Sequence, residues 1–198
     1  TLEEASSDAE GREPFTVDTL ERYLLEESML RRRLQGRSVK KDVALAIASG
    51  RLPHGPVGRC LYDGFSAGVE RFAEDLSRLT GENALETLDF QIDVGGFSLT
   101  GSLKDVFRER MIRYRYARLK GKDRVVSWIH HLVLNSVRAE GYPRHTLLAG
   151  LTKERKRAFY DYAPVEQGGT ILEGLLRRYG EGLRAPLHFF PELSWSYA

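Results

Sequence analysis

Two arginines two residues apart, Arg113 and Arg115, carry the sharpest chemical meaning in this sequence. On an extended strand residues i and i+2 share a face. Their guanidinium forks could therefore grip phosphate oxygens side by side, or pair with Asp89, Asp93 or Glu109 across neighbouring strands. Both readings are open from the residues alone, and Lys104 invites the same two. Around the pair lies a basic stretch, residues 108–124. In it Arg108, Arg110, Arg113, Arg115, Arg118, Lys120, Lys122 and Arg124 stand against Glu109 and Asp123, a net charge of +6. A second knot, Lys153, Arg155, Lys156 and Arg157 against Glu154, adds +3. Such clusters draw phosphates and speed association, although cations also guard exposed strand edges against pairing. Arg118, Lys120, Lys122 and Arg124 fall on a strand-to-helix connection, a place suited to a phosphate track or to a plain solvated loop.

Other reactive groups are sparse. His130 and His131 are adjacent on a helix and so diverge by about 100°, which excludes an i, i+4 metal pair; packing or capping is the expected role. His54 sits in a turn. Cys60 stands alone, with no Cys-x-x-Cys or Cys/His metal spacing, and is expected to be an ordinary buried thiol in a reducing compartment. No Gly-x-x-x-x-Gly-Lys loop is present to cradle a nucleotide. Trp128 reads as core, while Phe189, Phe190, Trp195 and Tyr197 crowd the end of the chain, where they could stack on bases or anchor a neighbouring surface.

The elements that must position these residues follow from periodicity. Asp18, with Glu21 three residues on, opens a helix to about Leu34, with Leu20, Tyr23, Leu24 and Leu34 as its apolar face. Ser38 is expected to cap a short helix bearing Val43, Ala44 and Ile47 and ended by Gly50. After the turn at 52–56 a longer helix spans about 57–79, with Leu61, Phe65, Phe72, Leu76 and Leu79 along one side. From residue 85 the period becomes two. Leu88, Phe90, Ile92 and Val94 alternate with polar residues, Gly95-Gly96 signals a hairpin, and Phe97, Leu99 and Leu103 return. A third strand, 111–117, puts Ile112, Tyr114 and Tyr116 on one face and the two arginines on the other. A helix from about Asp123 has Val125, Trp128, Ile129, Leu132, Val133 and Ser136 as its inner stripe. Strands at 146–149 and 158–162 and a helix at about 166–181 complete the order. It predicts an α/β (α+β) fold, a meander crossing through a helix into one mixed central sheet flanked by helices.

At 198 residues the chain is long enough to bury a core without disulfides. Residues 1–13 carry Glu3, Glu4, Asp8, Glu10 and Glu13 against Arg12, a net of −4, and read as an acidic linker. The helical part is expected over 16–80, the meander and crossover helix over 87–139, and later strands and helix over 145–182, within one domain, 14–185. An aromatic tail follows at 186–198. No run approaches the roughly 18 apolar residues of a membrane span. The chain starts at Thr1 without a signal peptide, so a cytoplasmic fragment of a longer protein is the expectation.

A β-meander followed by an amphipathic helix resembles the core of the PD-(D/E)XK nucleases. In that family an aspartate on the second strand and a carboxylate and lysine two residues apart on the third hold a divalent metal and activate water. The resemblance puts Lys104, in Gly101-Ser102-Leu103-Lys104, where the aspartate belongs. It puts Arg113 at the carboxylate and Arg115 at the lysine. Three cations repel Mg²⁺, which wants oxygen ligands. More closely, the chain resembles the C-terminal region of the RecC (gamma chain) family of the RecBCD helicase-nuclease, exodeoxyribonuclease V. The matching pieces, in order, are Glu13-Pro14-Phe15, Leu20-Glu21-Arg22-Tyr23, Leu52-Pro53-His54-Gly55, Leu99-Thr100-Gly101-Ser102-Leu103 and Arg113-Tyr114-Arg115. Lys122-Asp123-Arg124, Trp128-Ile129, His131-Leu132, Tyr179, Gly182-Leu183-Arg184-Ala185-Pro186-Leu187 and Phe189-Phe190-Pro191 follow.

That resemblance implies a restriction-endonuclease-like domain with no nuclease site. It would guide double-stranded and unwound DNA and dock RecB and RecD during recombinational repair. Mg²⁺ and ATP would serve the partner subunits, and the fragment would hold no cofactor and no metal. The implied DNA-binding candidates are Lys104, Arg113, Arg115, Arg118, Lys120, Lys122 and Arg124. Two other readings stay open: a metal nuclease whose acid has moved to Asp89, Asp93 or His54, and a docking module that never meets DNA.

Overall fold

The computed structural model describes residues 17–39, 42–80 and 84–186, so the linker expected at 1–13 and the tail after Pro186 lie outside the described residues. The elements are α1 (Thr19–Leu34), α2 (Val43–Ala48), α3 (Pro56–Thr80), β1 (Leu88–Val94), β2 (Phe97–Leu103), β3 (Arg110–Arg118), α4 (Gly121–Val137), β4 (His145–Leu151), β5 (Arg157–Tyr162) and α5 (Gly168–Gly182). The chain divides into two compact units after Ala73, within α3.

In the first unit Asp18 caps α1, its carboxylate accepting from Leu20 N at 3.1 Å. The buried face is Leu25, Met29 and Leu30 with Glu26, whereas Leu20 and Leu24 are 62% and 52% exposed. The expected apolar stripe is thus on the wrong side of α1. Glu26 is what conceals the true one: a carboxylate buried inside the stripe, held by Arg22 Nε at 3.0 Å, while the Arg22 guanidinium lies over Phe65. The cap of α2 is Asp42 rather than Ser38. Along α3 the buried stripe in this unit is Tyr62, Phe65, Ser66, Val69, Phe72 and Ala73. Cys60 lies off that stripe and is exposed, not buried. Tyr62 donates to Val39 O at 2.5 Å, and burial, reinforced by Asp42, pushes its hydroxyl up to about 12.

In the second unit β1 and β2 form an antiparallel hairpin in which Leu88 pairs with Leu103 and Val94 with Phe97. Gly95 and Gly96 turn it with φ of +56° and +80°, the doubly positive geometry of a tight type I′ turn. The second sheet has the order β3-β4-β5, with β3 and β4 parallel and joined through α4, and β5 antiparallel to β4. The fold is mixed α/β, but the single central sheet of the sequence reading is two sheets. Asp105, at φ +56°, bends the chain between β2 and β3. The meander shrinks there to one bridge, Val106 with Met111, and flanking bonds such as Ile112 N to Asp105 O.

β4 is buried on both faces, as a central strand of a covered sheet must be. One core cluster joins the hairpin's inner residues Leu88 and Leu103 to Val106, Met111, Leu132, Val133, Leu134 and Leu172. α4 is buried almost without interruption from His131 to Asn135, because α5 covers a side that the single-stripe reading left to solvent; Ile129, placed in that stripe, is 38% exposed. The helices approach closely at Gly168, where a Cβ would stand 3.2 Å from Leu132 O.

Candidate nucleic-acid interface

β3 carries the two arginines on the side that faces α4. Arg115 does not reach Asp89, Asp93 or Glu109. Its Nη1 contacts both carboxylate oxygens of Asp123, at 3.2 and 3.3 Å. Asp123 is the third residue of α4, and its Oδ2 also accepts from Lys120 N at 2.9 Å, so one carboxylate starts the helix and fixes the strand's arginine. Arg113, half-buried, stands close enough to His130 to help hold that imidazole below its ordinary pKa. Burial is the larger cause, and the hydrogen bond to Val126 O opposes both.

Arg124 is likewise engaged: its Nη2 donates to Tyr160 Oη at 2.7 Å, and its guanidinium carbon lies 4.2 Å from the Tyr160 ring centre. Lys104, Arg118, Lys120 and Lys122 are exposed, and none forms an ion pair with a described residue. Lys104 sits just past β2, and it and Arg113 are the next residues outward on the two chains beyond the Asp105–Ile112 bond. Lys104, Arg113 and Arg115 offer no oxygen ligands, so they do not fit Mg²⁺. Among the described residues no group of three His, Cys, Asp or Glu could hold a metal ion.

The structure also joins the two basic stretches. Arg118 pairs with Leu151 at the end of β4, and Leu119 N donates to Leu151 O at 2.9 Å. The turn after Leu151 is closed by Thr152 N to Lys156 O, 2.8 Å, with Thr152 Oγ1 accepting from Glu154 N and Lys156 N. Arg155 reaches back over the Tyr116 ring, 5.8 Å from its centre. Lys153 and Lys156 thereby stand at the same end of the sheet as Arg118, Lys120 and Lys122.

At the opposite end of β4, around Thr146, lies a buried polar knot that sequence reasoning missed. His131 is fully buried. Its Nε2 donates to Ala163 O at 3.0 Å, which leaves Nδ1 to accept from Thr146 Oγ1 at 2.9 Å. Burial, the leading cause, lowers its pKa, as a ring held neutral between a carbonyl and a hydroxyl requires. Asn135 donates to His131 O (2.9 Å) and Arg144 O (3.0 Å) and accepts from Arg144 Nε (3.2 Å) and Val165 N (3.1 Å). Trp128 stacks on His131 at 5.2 Å and meets Tyr162 edge-on at 5.7 Å. A lone Asn directly after the apolar run Leu132-Val133-Leu134 was the available signal.

The family model of the RecC C-terminal domain matches residues 1–198. The RecBCD enzyme subunit RecC of Escherichia coli (strain K12) is 24% identical over 188 residues, covering 94% of this chain and 16% of that protein. The same-named subunit of Mycolicibacterium smegmatis is 28% identical over 203 residues, covering 93% and 17%. That of Buchnera aphidicola is 19% identical over 181 residues, covering 88% and 16%.

Proposed function

The chain belongs to the RecC C-terminal domain family, and from that premise we propose that it is a non-catalytic module of a RecC-type subunit within a RecBCD assembly. It spans 16 to 17% of the length of these curated relatives. In this reading the module guides duplex and unwound DNA and docks the RecB and RecD subunits during double-strand-break repair. The motor and nuclease chemistry, with its ATP and Mg²⁺, belongs to those partners.

One observation carries the non-catalytic part: Arg115, in the place the nuclease resemblance gives to a catalytic lysine, is locked to the helix-starting Asp123, and Lys104 and Arg113 replace the acids. The test is a calorimetric titration of the full-length subunit with Mg²⁺ or Mn²⁺, beside a cleavage assay on linear duplex. The expected result is DNA binding that weakens with salt, with neither cleavage nor metal uptake traceable to this domain. Stoichiometric metal binding with cleavage that disappears on changing Asp89 or Asp93 overturns it.

A further inference from the structure

The cations of this surface separate into two classes once their partners are known. Arg115 is tied to Asp123, Arg124 to Tyr160, Arg155 lies over Tyr116, and Arg157 pairs with Asp75, which also holds Arg78. These hold the fold. Arg118, Lys120, Lys122, Lys153 and Lys156 are exposed and form no ion pair with any described residue.

Those five come from two segments about thirty residues apart in sequence and meet at one place, the carboxyl ends of the parallel strands β3 and β4 and the turn into β5. Open α/β sheets characteristically bind their ligands at that end. The register leaves little freedom: Arg118 is opposite Leu151, Lys120 follows one residue beyond the Leu119–Leu151 bond, and Lys153 and Lys156 flank the turn that Thr152 closes. Gly150 lets Leu119 sit directly on β4, since a Cβ there would lie 2.4 Å from Leu119 Cγ. Adjacent strands are about 4.8 Å apart, so the cations span a strip on the order of 10 Å wide.

We propose that Arg118, Lys120, Lys122, Lys153 and Lys156 form one strip that binds the phosphate backbone of duplex DNA without reading sequence. This rests on the DNA-guiding role proposed for the module and deepens it, naming the surface and adding the β4–β5 turn to it. Lysine-rich composition favours nucleic acid over a protein partner, because the buried centres of protein interfaces are poor in lysine and rich in aromatic anchors. Here the nearby rings of Tyr116 and Tyr160 are already covered by the protein's own arginines. Lysine and arginine bonds to phosphate position DNA but carry no base information. Lys104 lies outside the strip. It precedes Asp105, whose carbonyl accepts from Ile112 N, and the six residues from Ile112 to Arg118 correspond to about 20 Å along β3.

The experiment is lysine acetylation footprinting of the full-length subunit, with and without a linear duplex, run beside a salt series of duplex affinity. The expected result is protection of Lys120, Lys122, Lys153 and Lys156 but not Lys104, equal for two unrelated sequences. K153Q/K156Q should then reduce the slope of log affinity against log salt by about 2, at roughly 0.9 for each phosphate no longer neutralised. If Lys153 and Lys156 react equally with and without DNA while R118Q/K120Q still lowers the slope, the strip is wrong and the guiding role stands. If no lysine here is protected and neither variant changes the slope, both fall. Protection conferred by the partner subunits alone, with none added by duplex, overturns the proposal in favour of a docking face.

Discussion

Asn135 shows how much one buried polar side chain can organise. Both of its amide hydrogens and both lone-pair directions are used, tying α4 to the chain entering β4 and to the segment before α5. Replacing it by Ala orphans groups that each cost about 1–3 kcal/mol when left unpaired, so N135A should lower stability by about 3 kcal/mol or more in denaturant unfolding. The isosteric Asp is no rescue. It keeps the acceptor for Val165 N and Arg144 Nε but turns an oxygen onto the carbonyls of His131 and Arg144, so N135D should destabilise by a comparable amount. At this scale the sequence was partly readable. The i, i+2 arginines were visible as a pair sharing a face, but their partners were not. Asp123 is close to Arg115 only because the chain reverses into α4, a fact that no spacing rule contains.

At the scale of elements, period-two alternation located the β1–β2 hairpin to the residue, since Gly95-Gly96 leaves one tight turn available. Pairing beyond the hairpin was not legible. It hinges on Asp105 adopting a left-handed backbone, which an Asp tolerates but does not announce. Helix faces were misread where a buried polar residue interrupts the stripe, as Glu26 does in α1, or where two neighbours cover one helix, as in α4. The strand–strand fit at Leu119 gives a sharp test. G150A forces a Cβ to 2.4 Å from Leu119 Cγ in a buried strand and should cost about 1–3 kcal/mol. G64A, in the interior of α3 with nothing within 4 Å of the added carbon, should instead stabilise by about 0.5–1 kcal/mol. Thermal unfolding of the two variants should move in opposite directions.

For the molecule as a whole, no helix among the described residues is long and apolar enough to cross a membrane. Its response to acid follows from one buried and one half-buried imidazole. His130 and His131 both have pKa values below the ordinary 6.5, chiefly through burial. Below pH 6.5 the unfolded chain therefore binds more protons than the folded one, and stability falls as pH falls. Glu166, lowered by its hydrogen bond and charge pairing with Arg144, acts in the same direction only further down, below its ordinary 4.5. The melting temperature should therefore decline between pH 7 and 5.5, and H131Q should flatten that slope whatever it does to the absolute value. An unchanged slope in H131Q would refute the assignment. At this scale the family and the mixed α/β class were legible because motif order spans the chain, whereas the division after Ala73 cuts a helix whose sequence shows no break there.

The separateness of the β1–β2 ribbon has a kinetic side. Two strands alone are marginal in water, and this ribbon leans on α5, with Gly95 against Glu173 and Phe97 against Gly180. Its amides should exchange with solvent in step with those of α5 and well ahead of those of β4, as one cooperative opening. Whatever holds α5 in place also sets how long the ribbon stays closed.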